Sequence, residues 1–263
     1  MSDSPAPVTR TDAHGVATLT LARPEGMNSL TLATKIALRD ELHAVAADSS
    51  VRAVVLTGSG RAFCVGQDLK EHVSDLEKGP LSDTVTEHYN PTVTAIATMP
   101  KPVIAAVNGV AAGAGASLAF AADFRVVAES ARFTTAFAGI ALSCDTGASW
   151  TLPRLVGTTK AMDLLLRPRT IDAAEALELG IATQVVPDAE LEPTVARLAA
   201  ELAAGPTLAY ASIKRAVAFS ATHDLPESLE HEGQKMALTG ASQDHRAAVQ
   251  AFLDKQTPQF EGR

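Results

Sequence analysis

Three short, largely apolar runs set the main limit on how this chain can fold. They are Ala53-Val-Val-Leu-Thr57, Pro102-Val-Ile-Ala-Ala-Val107 and Phe124-Arg-Val-Val127. A strand with apolar side chains on both faces must be covered on both faces, which is the pattern of a parallel sheet. Gly58-Ser59-Gly60 stops the first run, and Asn108-Gly109 stops the second. Helical patterns over Ser82 to Thr98 and Ala114 to Ala121 separate the runs. Strand, helix, strand, helix, strand in that order implies right-handed crossovers in an α/β protein. Gly15 to Leu21 alternates and is rich in β-branched residues, so it reads as a further strand, ended by Arg23-Pro24. Ser29 to Ala47 has a helical apolar period with Thr31 placed as its N-cap. After about Pro153 the pattern is almost wholly helical as far as Leu253, punctuated by Gly157, Gly180, Pro187, Gly205-Pro206, Pro226 and Gly240.

The bulk numbers exclude several classes. A chain of 263 residues can bury one sizeable core. Aromatic residues make up only 4%, so that core is built from Ala, Val, Leu and Ile. A net charge of -8 argues against nonspecific nucleic-acid binding, which needs a basic surface to displace counterions. The two cysteines, Cys64 and Cys144, form neither a disulfide framework nor a metal-ligand spacing, and a reducing cytoplasm is the simplest setting. Met1 to Pro7 is polar and lacks the apolar core of a signal peptide. The longest apolar stretch, Pro102 to Ala122, is interrupted by Asn108 and three glycines, and reads as strand, turn and helix rather than a membrane span.

Two glycine-bearing turns carry the chemical signal. Gly60 to Leu69 follows the first apolar run, and Asn108 to Ser117 follows the second. Loops at the C-terminal ends of parallel strands are where α/β proteins bind ligands. The second turn opens a helix, whose free N–H groups and dipole favour a developing negative charge. Side by side, the turns could aim two backbone N–H groups at one carbonyl oxygen, forming an oxyanion hole. The competing reading is that the glycines serve only tight turns and close helix packing. Neither turn has the spacing of a dinucleotide fingerprint or a P-loop.

The order of the segments resembles the crotonase (enoyl-CoA hydratase/isomerase) superfamily over nearly the whole chain. Arg23-Pro24 with Asn28-Ser29-Leu30 is similar to the family's opening motif, and Gly60 to Leu69 to its GRAFCAGxDL loop. Lys101 to Gly115 resembles the KPxIAAVNGxAxGGG turn, and Asp123 to Phe133 the following strand pair. Trp150 to Gly157 and Ala173 to Ile181 resemble later helices. Within the superfamily, Gln67-Asp68-Leu69, Tyr89-Asn90-Pro91 and the closing Thr257-Pro-Gln-Phe260 look most like the phenylacetate-pathway ring-epoxide CoA isomerases. The resemblance implies an α/β fold with a ββα-spiral acyl-CoA-binding core over residues 1–200. It also implies a helical C-terminal region, 201–263, that builds a homotrimer or a hexamer made of two trimers. Its two oxyanion donors match Gln67 and Ala114. The coenzyme A moiety of an acyl-CoA thioester substrate would lie near Arg23, Ala62, Gln67, Asp68 and Leu69. Coenzyme A enters only as part of the substrate, and no metal or redox cofactor is implied.

The resemblance also bears on the acid or base. Family hydratases use two glutamates, whose positions match Ser117 and Phe137, and neither of these can act as a carboxylate. Asp145 matches the position of the acidic residue in family isomerases. Its local sequence alone favours a helix N-cap, and it is the position match that favours a catalytic role. The same position serves as a nucleophile in aryl-CoA dehalogenases, but their His and Trp match Asn90 and Phe137 here. Phe137 and Trp150 read as pocket or core residues, Cys144 as a small buried residue, and His72, His88 and His231 as scattered on polar segments. The expected activity is isomerisation of an enoyl-CoA, or rearrangement of a ring-derived CoA ester, by carboxylate proton transfer. Its rivals are an enoyl-CoA hydratase and a noncatalytic CoA-ester-binding protein.

Overall fold

A computed structural model describes residues 6–76 and 82–263, so most of the polar start, 1–5, lies outside the described residues. The chain begins with Val8–Ala13 (β1) and Val16–Leu21 (β2), then Leu32–Ala47 (α1). Thr31 caps α1 as its sequence predicts, its side chain accepting from the Thr34 N–H. The buried face of α1 is Thr34, Lys35, Leu38, Leu42 and Val45, and it packs against a later helix, α4. That face is apolar apart from one threonine and one lysine.

A repeating unit follows. Ala53–Gly58 (β3) and Ala62–Cys64 (β4) lead to Leu69–Leu76 (α2). Ser82–Thr84 (α3) then runs through a π turn, Val85–Tyr89, into Asn90–Thr98 (α4). Val103–Val107 (β5) and Val110–Ala112 (β6) lead to Ala114–Ala121 (α5). Phe124–Ala128 (β7) and Arg132–Thr134 (β8) lead to Ala148–Val156 (α6). The first strand of each unit joins one sheet and the second joins another. The larger sheet has the order β1-β2-β3-β5-β7-β10, where β10 is Gln184–Val186; the smaller has the order β4-β6-β8-β9, where β9 is Ile171–Asp172. From β2 to β10 the larger sheet is parallel, and only β1 is antiparallel to its neighbour. This is the ββα spiral expected from the resemblance.

Two expectations need correction. The segments Gly60 to Leu69 and Asn108 to Ser117 are not single turns; each contains a three-residue strand of the second sheet before its site-bearing part. The region after Pro153 is not wholly helical either, because β9 and β10 lie within it. Strands of two or three residues are too short to show a period, which is why the sequence does not reveal them.

The remaining helices are Thr158–Leu166 (α7), Ala173–Glu178 (α8), Leu191–Ala204 (α9), Thr207–Ser220 (α10), Leu225–Gly240 (α11) and Gln243–Leu253 (α12). Helix α9 covers one face of the larger sheet, against β2, β3, β5 and β7. Helix α5 is buried along its whole length, which accounts for its run of Ala, Gly and Ser. A Cβ on Gly115 would stand 2.1 Å from the Cys64 carbonyl oxygen, so the first turn of α5 is pressed against the end of β4. The core is mostly Ala, Val, Leu and Ile, with Phe63 and Phe133 the largest fully buried side chains. Helix α10 is tied to the sheet by Lys214, whose Nζ donates to Asp123 Oδ2 at 2.6 Å and to the Lys101 carbonyl at 3.1 Å.

Candidate active site

The second sheet brings three loops to one edge. Strands β4, β6 and β8 run parallel, pairing Cys64 with Ala111 and Ala112 with Thr134, so their C-terminal ends lie side by side. The loop after β4 carries Gln67, β6 passes through Gly113 to Ala114 at the start of α5, and the loop after β8 carries Asp145. The three residues singled out for chemistry therefore come from equivalent places in three successive ββα units.

The two amides are free to donate. The Leu30 N–H donates to the Gly66 carbonyl at 2.7 Å, and the Asp68 N–H donates to the Leu30 carbonyl at 3.2 Å. This isolated parallel bridge pairs Leu30 with Gln67. In such a bridge the Gln67 N–H points away from Leu30. Ala114 is the first residue of α5, so its N–H has no acceptor within the helix. Ala114 lies in ordinary helical backbone, so the side chain it carries in place of glycine brings no strain. Gly66, at φ +84°, packs against Ala112 and Ala114 and sets the two amides next to one another.

Asp145 does not act as a cap. The N-cap of α6 is Gly147, and it makes no side-chain capping bond. Asp145 Oδ1 instead accepts from the Thr146 hydroxyl at 2.8 Å. Burial pushes the Asp145 carboxyl above the usual carboxylate range, while the Thr146 hydroxyl and the charge of Lys35 pull it back. Asp145, Gln67, Leu69, Tyr89, Thr84 and His72 line a small cavity of about 60 Å³, with Ile140 and Leu142 also in its wall. Ser117 is fully buried and its hydroxyl donates to the Gly113 carbonyl at 3.0 Å; Phe137 is buried in a 3₁₀ turn. No titratable group stands at either position.

The residues expected around coenzyme A are divided. Arg23 Nη1 donates to the Ser29 carbonyl at 2.7 Å and lies 3.4 Å from Asp68 Oδ2. Asp68 precedes α2 and accepts from the Lys70 and Glu71 amides and from the Ser29 hydroxyl. Burial alone would raise the Asp68 carboxyl, but those donors and Arg23 hold it below its ordinary value. Leu69 is 62% exposed. Ala62 is fully buried in β4, and its carbonyl already accepts from Asn28 and Asn108.

Several residues at the site escape the sequence reading. Lys35 is only 3% exposed. Its Nζ donates to Thr84 Oγ1 at 2.5 Å and to Gln67 Oε1 at 3.2 Å, and lies 5.4 Å from the centroid of the Tyr89 ring. The Tyr89 hydroxyl donates to the same Gln67 oxygen. Burial, with Asp145 nearby, drives the Tyr89 phenol upward, so it stays a donor. The signal that could have found Lys35 is a lysine on the apolar stripe of α1, in step with Leu38, Leu42 and Val45. Conversely, Trp150 is not a pocket residue: it is 42% exposed and stacked under Arg154. His88 is buried in the π turn rather than on a polar surface.

Comparison with known proteins identifies the family. The family model for enoyl-CoA hydratase/isomerase matches residues 11–263. A Rhodobacter capsulatus protein named "Probable enoyl-CoA hydratase" is 45% identical over 95% of this chain and 96% of its own length. The Escherichia coli 1,2-epoxyphenylacetyl-CoA isomerase is 44% identical over 95% of this chain and 96% of its own length. A Mycobacterium abscessus crystal structure assigned to enoyl-CoA hydratase/isomerase superposes with a TM-score of 0.93 at 42% identity, covering 97% of this chain and 100% of that one.

Proposed function

The chain belongs to the enoyl-CoA hydratase/isomerase family and is an acyl-CoA enzyme, and from that premise we propose that it is an isomerase working through one carboxylate. It would shift a double bond in an enoyl-CoA or rearrange a ring-derived CoA ester, as the name of the Escherichia coli relative suggests. The observation that carries this reading is Asp145: among the described residues it is the one carboxylate lining the cavity, while the positions of the hydratase glutamates hold Ser117 and Phe137.

In this mechanism the thioester oxygen accepts from the Gln67 and Ala114 N–H groups. Asp145 takes a proton from a carbon adjacent to the double bond, and the electrons move onto the thioester oxygen as an enolate. The two N–H donors, fixed before reaction, stabilise that charge. The enolate collapses and takes the proton back from Asp145 at the other end of the allylic system. Substrate and product have the same composition, and Asp145 returns to its starting state.

The test is mass spectrometry of 2-enoyl- and 3-enoyl-CoA incubated in heavy-oxygen water with the wild-type protein and Asp145→Asn. An unchanged mass with a moved double bond, lost in the variant, is the expected result. Labelled water added to the 2-enoyl substrate would make the protein a hydratase and overturn this reading. Binding of both esters with no turnover, extended to a ring-derived ester, would make it a noncatalytic binder.

A homotrimer, or a hexamer of two trimers, goes with this proposal. The support for self-association is the apolar surface on the C-terminal helices, where Met236 is 72% and Phe252 81% exposed. Light scattering of the purified protein tests it. No helix among the described residues is long and apolar enough to cross a membrane. Cys64 and Cys144 are both free, which suits the cytoplasmic setting we propose.

A further inference from the structure

We propose that Lys35 is a positioning residue of this site, holding the Gln67 carboxamide from one side while Tyr89 holds it from the other, and supplying the positive charge that Asp145 faces. The proposal rests on the isomerase reading and goes beyond it, because it concerns what sets the donor and the base rather than what they do.

A buried ammonium is costly unless it is well paired. Lys35 sits on the apolar stripe of α1, where a methionine or leucine would pack without that cost. Its partners come from the elements around the cavity. Thr84 Oγ1 lies on α3, Gln67 Oε1 on the loop after β4, and the Tyr89 ring on the π turn. The Gln67 oxygen thus accepts from two donors, Lys35 and Tyr89. A carbonyl held by two donors on different elements fixes its side chain. The Gln67 backbone, already bridged to Leu30, then keeps its N–H in one direction. Such outlying contacts set donor geometry, to which transition-state stabilisation is sensitive.

The charge acts in parallel. Among the described residues, the ionisable groups facing this corner include Lys35 from α1, Cys64 from β4, Glu71 and His72 from α2, and His88 and Tyr89 from the π turn. The Glu71 carboxylate accepts from the Leu32 amide at 2.7 Å. Cys64 and Tyr89 are kept neutral by burial. Among these groups Lys35 is the cation whose charge favours ionised Asp145, against the burial that opposes it.

The experiment compares wild type with Lys35→Met and Tyr89→Phe in two readouts. The first is the carbon-13 NMR titration of the Asp145 carboxyl in free protein, assigned with Asp145→Asn. The second is the pH profile of kcat and KM with 3-enoyl-CoA. In K35M the Asp145 titration and the acid limb of kcat are expected to move together to higher pH, with KM little changed. In Y89F kcat is expected to fall by about tenfold, the scale of a slightly misplaced donor, with the Asp145 titration unmoved. An Asp145 titration in K35M that matches wild type overturns the proposal. If no enoyl-CoA turns over, the isomerase reading fails while the NMR titration still decides the link from Lys35 to Asp145. Should K35M not fold, Thr84→Val removes a partner of the ammonium and gives the same titration test, with a smaller upward shift expected.

Discussion

Gly66 and Ala114 are so close that a Cβ on Gly66 would stand 3.3 Å from the Ala114 nitrogen and 2.9 Å from the Ala112 carbonyl oxygen. Gly66 also has φ +84°, where a side chain is strained. Gly66→Ala should therefore push the two oxyanion loops apart. The expected loss is about a hundredfold in kcat, with a stability cost of about 2 kcal/mol. Steady-state kinetics beside urea unfolding separates the two effects. A variant with full activity would show that the contact does not set the donors.

The carboxyl of Asp145 lies above its ordinary range because burial disfavours its charge. As the proposed base it must be ionised in the resting enzyme. Activity should then fall as pH drops through its titration, at a higher pH than an exposed aspartate would give. The log of kcat/KM against pH should show that limb in wild type. D145N should lose about a thousandfold in rate, and its residual rate should lack the limb.

Lys214 and Asp123 form an ion pair that is mostly out of water, with side-chain exposures of 15% and 25%. Burial shifts each toward its neutral form, Asp123 upward and Lys214 downward, despite their contact. The pair is thus a weak net stabiliser that is harmful to break singly. Lys214→Met should cost about 3 kcal/mol, because Asp123 stays buried without its cation. Converting both partners to apolar residues should cost less than that in chemical denaturation, although the Val103 amide would lose its bond to Asp123.

Cys64 and Cys144 should differ in reactivity. Burial pushes the Cys64 thiol up to about 12, and its side chain is sealed beneath α5. The thiolate is the reactive form, so Cys64 should resist an aromatic disulfide reagent at neutral pH. Cys144, on the partly exposed loop before Asp145, should react. The native protein should titrate one thiol, and the unfolded protein two. Rapid native labelling of both would show that the first turn of α5 opens readily.

The parts legible in the sequence were those with a long enough pattern. The parallel strands β3, β5 and β7 and the helices α1 and α5 fall where their apolar runs predict, and Thr31 caps α1 as read. The second sheet was invisible, since β4, β6 and β8 have three residues each. That gap hid the fact that Gly60 to Leu69 is more than one turn: Ala62–Cys64 within it is β4, and its later part, with Gly66, stands at the site. Gln67, Ala114 and Asp145 could be singled out because motif order marks them. Lys35 could not, and Tyr89 stood in a matching motif without a legible role, because their meaning lies in a contact between α1, the π turn and the loop after β4 that no local spacing encodes.

The π turn at Val85–Tyr89, in which the Asn90 N–H reaches back to the Val85 carbonyl, has one more residue than an α-helical turn closing the same bond. Each residue of an α-helix advances by about 100° around the axis. Deleting one residue upstream of Tyr89 would let the segment rewind as an ordinary helix and turn the phenol away from Gln67 by about that angle. Chain length at this point is thus a variable of its own. A related sequence could keep Lys35, Gln67, Tyr89 and Asp145 letter for letter and still have dismantled the arrangement through a single gap in its alignment.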